Sequence, residues 1–351
     1  MTSAARATTR CRSSSTFSRR QPELNPSQRA PLGRTALTVT RFGLGTAPLA
    51  GLFEAVDEDT ALAAIERAWE DGIRFFDTAP LYGHGLAETR LGKVLRQKPR
   101  DEFTLASKVG RLLRADALPE PGQSWRGTPP VNPVFDFSYD GVMRSFEESL
   151  GRLGLDRIDI LHIHDPDNHY DDAIRGAYRA LDRLRADGVI GAVSAGMNQA
   201  EMLTRFAREG DFDCFLLAGR YTLLDQIALK ELLPECVKRG IAIIAGGVYN
   251  SGILADPKPG AHYNYQTAPV ELLERARRIR DVCARHGVPL KAAAAQFPLG
   301  HPAVTCVVVG CRNAAQLDES LDMFEVDVPP FLWQDLKAEG LLPLEAPTPE
   351  L

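Results

Sequence analysis

No apolar run in the 351-residue sequence reaches the roughly 18–20 residues that a membrane-spanning helix needs. The six cysteines (Cys11, Cys214, Cys236, Cys283, Cys306 and Cys311) show neither CxxC spacing nor a compact framework. Reduced thiols in a cytoplasmic protein are therefore expected, and disulfide-stapled architectures are not. A basic stripe is also missing: 41 basic and 46 acidic residues are interspersed, for a net charge of −5. That mixture points away from nucleic acid and from a cationic partner. Finally, no GxGxxG follows the first apolar strand, which removes the phosphate fingerprint of an open dinucleotide-binding sheet.

What is present is an ordinary globular composition, 44% apolar and 25% charged, in a chain long enough to bury a large core. Residues 1–24 stand apart, being rich in Arg, Ser and Thr with a first acidic residue at Glu23. They suit a disordered tail, an over-extended start or, less well, an organellar transit peptide. We take residues 1–33 as tail and 34–345 as one domain. Residues 36–46 alternate as a hairpin running into a first strand should. Thereafter apolar strands and amphipathic helices take turns. Strands are predicted near residues 43 and 74, and at 103–107, 158–164, 190–194, 214–217, 241–245 and 304–309. Helices are predicted at 57–71, 141–153, 171–187, 198–209, 226–239, 269–286 and 314–324. Eight β-then-α units imply parallel strands closed into a (β/α)8 barrel, an α/β fold with extra loops at its C-terminal face.

Chemistry in such barrels sits at the C-terminal ends of the strands. Asp77 ends the second strand, Lys108 the third and His164 the fourth, with Tyr82 five residues beyond Asp77. A phenol with a pKa near 10 is a poor proton carrier at neutral pH. A neighbouring ammonium stabilises the phenolate, a carboxylate holds the ammonium, and a His can donate to a substrate oxygen. That set suits acid/base work at a carbonyl or alcohol, as in hydride transfer. His162 and His164 form an HxH pair, a spacing that some metal hydrolases use. The remaining histidines (His84, His169, His262, His286, His301) do not fall on later strand ends, so no metal is expected and His162 is taken as a lower-layer core residue.

At these residues the sequence resembles the aldo-keto reductase superfamily. GIRFFDTAPLYGHGLAETRLGKVL looks like the family's first signature, SKVG supplies the lysine and IDILHIHDP the histidine. The resemblance runs from Leu37 to Phe324. By motif position it implies Tyr82 as general acid/base, Lys108 and Asp77 as its modulators and His164 as the orienting group. GAVSAGMNQ, FLLAGRYTLLDQ and HDPD are similar to the subgroup of sugar and pyridoxal dehydrogenases. The resemblance further implies a nicotinamide dinucleotide held by the last loops: Tyr221 stacking on the nicotinamide, Ser194 and Asn198 at the carboxamide, and Gly247, Ser251, Gly252 and Leu254 at the pyrophosphate. Gly310, Arg312, Gln316 and Glu319 would take the adenosine end. Gly310 and Gln316 stand where NADP-preferring members often carry Lys and Arg, so NAD is favoured over NADP, although Arg312 leaves NADP open. Ala218 replaces the Gln of the usual carboxamide clamp. Phe53 and Trp125 are the substrate-side candidates, Trp125 lying in a long insertion between Val109 and Phe137 that could act as a lid.

The expected activity is oxidation of the anomeric carbon of a free aldose such as L-fucose to a lactone. Pyridoxal oxidation and general aldehyde or ketone reduction are the alternatives, because one site serves both directions. A non-catalytic NAD(P)-sensing barrel and a metal hydrolase are the readings from other classes. The partner is then a small sugar or aldehyde, and neither nucleic acid nor membrane. Oligomeric state is open.

Overall fold

The computed structural model describes residues 24–119, 124–264 and 266–349. Eight parallel strands close into a barrel: Phe42–Gly45, Phe75–Asp77, Thr104–Val109, Ile160–His164, Ala192–Met197, Cys214–Ala218, Ala242–Gly246 and Val304–Gly310. Each pairs with the next in sequence, and the eighth closes on the first through Val307 opposite Phe42. The fifth strand starts two residues later than its predicted start at 190, because Gly191 donates to the Asp159 carbonyl as part of the turn into it.

Alternation along the strands sorts side chains into two cores. Phe75, Ala106, Ile160, Cys214, Ile244 and Cys306 fill the barrel interior. Phe76, Leu105, Leu161, Ile163 and Phe215 face outward against the helices. The same period puts Asp77, Lys108, His162 and His164 on the inward set, two or four residues above these interior positions. Asp77 stands opposite Ala106 and Lys108 opposite His162, so the polar groups form the upper layers of the interior.

The helices follow their sequence signals. Asp57 caps Glu58–Glu70 by accepting from the Thr60 amide at 2.8 Å, and Ala61, Ala64, Ile65 and Ala68 bury its inner face. Gly154 and Gly240 end two later helices in the left-handed conformation that favours glycine. The helix predicted over 171–187 contains a π-helical turn at Ala173–Ala177. That predicted over 226–239 splits into a 3-10 turn at Ile227–Leu229 and a helix at Leu232–Arg239. Helices at Leu86–Leu95, Leu290–Gln296 and Pro330–Ala338 were not predicted. Leu290–Gln296 is buried nearly all round, so its alanine run carries no amphipathic period.

Two departures concern the chain's extras. The N-terminal hairpin pairs Arg29–Pro31 with Thr38–Thr40, so its first strand precedes the predicted 33/34 boundary. Leu32 and Val39 join the interior core and plug the lower end of the barrel, which is why the pairing forms before the domain's expected start. The tail's residues 1–23, including Cys11, lie outside the described residues. The insertion after the third strand carries its own hairpin, Arg111–Arg114 with Asn132–Phe135. No helix among the described residues is long and apolar enough to cross a membrane.

Candidate active site

The upper end of the interior is built from the strand-end residues. Lys108 Nζ donates to both Asp77 carboxylate oxygens at 2.7 Å and to the Thr78 carbonyl at 2.9 Å. Both side chains are buried. Burial pushes the Asp77 carboxyl up, and the ammonium opposes that rise. Below them His162 accepts or donates at Nδ1 with the Ser194 hydroxyl at 2.7 Å, with Nε2 3.6 Å from Asp77.

Tyr82 sits on the turn after the second strand, where its amide donates to the Ala79 carbonyl. Gly83 makes that turn possible: its φ is +58°, and a Cβ there would stand 2.4 Å from the Ala50 carbonyl oxygen. The Tyr82 ring has Lys108 Nζ 4.8 Å from its centroid. His164 stands edge-on to the ring at 5.9 Å, and Trp125 lies tilted against it at 5.7 Å. The His164 imidazole is held well below its ordinary pKa by burial, then by the Arg111, Lys108 and His162 charges. Both effects favour the neutral imidazole over the cation.

A cleft of about 430 Å³ runs outward from Tyr82 and Asp77. Its walls include Asn198, Gly247, Ser251 and Gly252, and its far end reaches Gly310, Arg312 and Gln316. Phe53 lines its mouth. Trp125 is drawn over Tyr82 because the chain around it pairs with residues 51–53: Phe53 N donates to Ser124 O at 2.7 Å and Arg126 N to Gly51 O at 2.9 Å. Arg90 secures the same segment by donating to the Leu49 and Val56 carbonyls.

Four predicted cofactor residues do not line the cleft. Tyr221 is 2% exposed, with its ring against Phe297 and His301 and its hydroxyl 3.4 Å from the Pro347 carbonyl. It is a core side chain, and no stacking platform exists there. Ser194 is fully buried and engaged by His162, Leu254 is fully buried, and Glu319 is an exposed partner of Lys291 at 2.8 Å. Asn264 and Pro48, which were given no role, line the cleft too, as do Gly246 and Asn250 from the Gly-rich run 245–255 expected at the pyrophosphate. The signal available for Asn250 was the Asn-Ser-Gly run, whose φ values are +44°, +59° and +102°.

The cleft fits a dinucleotide on its own features. A Cβ on Gly252 would meet nothing within 4 Å, whereas one on Gly247 would stand 3.1 Å from the Gly219 amide nitrogen. Asn250 is buried, its Nδ2 donates to the Gly219 carbonyl at 3.2 Å, and its Oδ1 has no donor among the described residues. At the far end Asn313 caps Ala314–Glu325 by accepting from the Gln316 amide, so a helix N-terminus faces that end. Arg312 Nε lies 3.9 Å from the Glu54 carboxylate.

Comparison with known proteins gives the family and the fold. The model of the Aldo/keto reductase family matches residues 41–338. The chain is 43% identical over 343 residues to pyridoxal 4-dehydrogenase of Microbacterium luteolum, covering 91% of this chain and 99% of that one. It is also 43% identical over 315 residues to D-threo-aldose 1-dehydrogenase of a Pseudomonas species, covering 88% and 96%. Among solved structures, an aldo-keto reductase from Bacillus halodurans in its holo form superposes with a TM-score of 0.71 at 24% identity, over 92% of this chain and 98% of that one. That last likeness speaks to the fold alone.

Proposed function

Because the chain belongs to the Aldo/keto reductase family, the nicotinamide-dependent oxidoreductases acting on CH–OH groups, we propose that it oxidises the anomeric carbon of a free aldose such as L-fucose to a lactone. One arrangement carries this: a phenol at the inner end of the cleft with a buried, carboxylate-held ammonium 4.8 Å from its ring and a neutral imidazole on its edge. The relative named D-threo-aldose 1-dehydrogenase supports the substrate class.

When bound, the nicotinamide supplies the two-electron acceptor for the hydride leaving the anomeric carbon. The chain's own residues do the rest. Tyr82, as phenolate, takes the proton of the anomeric hydroxyl at its oxygen. Lys108 stabilises that phenolate, and Asp77 keeps Lys108 charged and aimed. Neutral His164 donates a hydrogen bond to the same substrate oxygen. In the reducing direction Tyr82 returns the proton. Gly247, Ser251, Gly252 and Asn250 would hold the dinucleotide's middle, and Gly310, Arg312 and Gln316 its adenosine end. We assign NAD as the favoured cofactor over NADP, because Glu54 beside Arg312 repels a 2′-phosphate while it can accept from ribose hydroxyls.

A second reading, pyridoxal oxidation, is favoured by Phe53 on the cleft and Trp125 against Tyr82, aromatic groups that suit a flat ring, and by the relative named for that reaction. The test follows nicotinamide absorbance with NAD or NADP against L-fucose, D-arabinose, L-galactose and pyridoxal. Fastest turnover with an aldose supports the proposal, and turnover confined to pyridoxal supports the second reading. Tight NAD(P) binding without turnover would make the barrel a sensor. Tyr82→Phe should lower turnover by about two to four powers of ten and leave dinucleotide affinity within about twofold.

A further inference from the structure

Resting on that reading for the role of His164, we propose that Asp165 is a positioning residue: braced by Arg111, its carboxylate keeps the imidazole proton of His164 on Nε2. The residue follows the fourth strand, and its Oδ2 lies 3.4 Å from His164 Nε2 and 3.4 Å from the Arg111 guanidinium. A lone pair on Nε2 is disfavoured by the negative charge beside it, whereas a proton there is attracted. On the other side of the ring Nδ1 is buried and has no partner among the described residues, so none of them competes there for the proton. The separation of 3.4 Å is too long for the carboxylate to consume the donor, which stays available to a substrate oxygen.

Independent geometry points the same way. Asp165 has φ +42°, a left-handed conformation uncommon outside glycine, and its amide donates to the Gly196 carbonyl at 3.1 Å on the neighbouring strand. Such conformations persist only where the surroundings impose them, and they cluster at functional sites. This one turns the carboxylate back beside His164. Arg111 comes from the root of the inserted hairpin, where it also lies 4.7 Å from the Phe135 ring centroid. The insertion that seats Trp125 on Tyr82 thus also braces the group beside His164.

The titratable and charged groups facing Asp165 are Arg111 from the hairpin, Lys108 from the third strand, Asp167 from its own segment and the neutral His164. Burial and Asp167 push its carboxyl up against the two cations, to about 6. Its hold on the imidazole is therefore present above about pH 6 and lost below it.

The test reads the free protein as well as the enzyme. Long-range proton–nitrogen spectra of the full chain labelled with nitrogen-15 histidine, with His164→Asn to assign the ring, should show His164 protonated on Nε2 at about pH 8. Asp165→Asn keeps the volume and tolerates the left-handed backbone. It should give a mixture of tautomers and lower kcat at least about tenfold, with dinucleotide affinity within about twofold. Arg111→Gln should move the acid limb of kcat upward from about pH 6, because Asp165 loses the cation that holds its pKa down. That variant carries the test if Asp165→Asn does not fold. Unchanged His164 nitrogen shifts in Asp165→Asn, or an unmoved limb in Arg111→Gln, would overturn the proposal. Failure of the aldose panel would leave the spectra of the free protein to decide it separately.

Discussion

Lys108 Nζ bridges both carboxylate oxygens of Asp77 at 2.7 Å, and both side chains are buried. A buried ion pair with one further acceptor, the Thr78 carbonyl, adds little to stability compared with apolar packing. Its value is in fixing a charge beside the Tyr82 ring.

Lys108→Met should therefore separate two effects. Turnover should fall by about two to four powers of ten, because the phenolate loses its neighbouring charge. Stability should fall by roughly 3–5 kcal/mol, because the Asp77 carboxylate is left buried and alone. Adding Asp77→Leu should restore much of the stability and none of the activity. Thermal melts alongside turnover check both, and equal rescue of the two would mean that the pair serves the fold alone.

Trp125 lies 5.7 Å from Tyr82, centroid to centroid, and under the proposed function it would meet the substrate. Trp125→Ala should raise KM for the substrate by roughly two- to tenfold, the worth of one aromatic contact. Dinucleotide affinity, measured by titration without substrate, should stay within about twofold. A matching loss in dinucleotide binding would place Trp125 in the wall of the cofactor cleft.

Glu54 stands 3.9 Å from Nε of Arg312, which lines the far end of the cleft. Glu54→Gln should raise the ratio of kcat/KM with NADP to that with NAD by about fivefold, in keeping with an exposed charge. A ratio that falls instead would show that Glu54 orients Arg312 for the 2′-phosphate.

His301 is buried, accepts at Nδ1 from the Ala303 amide at 3.1 Å, and has its pKa lowered to about 4 by desolvation. A lowered folded pKa means that the imidazole must stay neutral in the native state. Its contribution is fully present above the unfolded value of about 6.5 and is lost as pH falls from there through about 4. The loss by pH 4 should be about 3 kcal/mol. His301→Gln should be less stable at neutral pH and should flatten the decline between pH 6.5 and 4, as followed by denaturant melts. An unchanged slope would assign the acid lability to other groups.

Much of the catalytic end was legible because it depends on short periods. Asp77, Lys108 and His164 each sit on a strand whose apolar neighbours fix which side chains turn inward. The cofactor end was less legible. Tyr221 was expected beside the nicotinamide, but it lies on a loop after the sixth strand, and its direction is set by Phe297, His301 and Pro347. These partners lie some 75 to 125 residues further along the chain, where no local pattern can register them. Leu254 and Glu319 were misplaced for the same reason: loop and helix-face residues take their exposure from neighbours that the barrel assembles.

By itself the sequence determined eight strands, seven of the helices that follow them and the inward facing of the strand-end polar residues, because a repeat of two along a strand is a local property of the backbone. Only the tertiary structure decided that the insertion after the third strand folds as a hairpin, seats Trp125 over Tyr82 and sets Arg111 against Asp165. Those contacts join loops from separate barrel units, and closure of the barrel is what brings the units together.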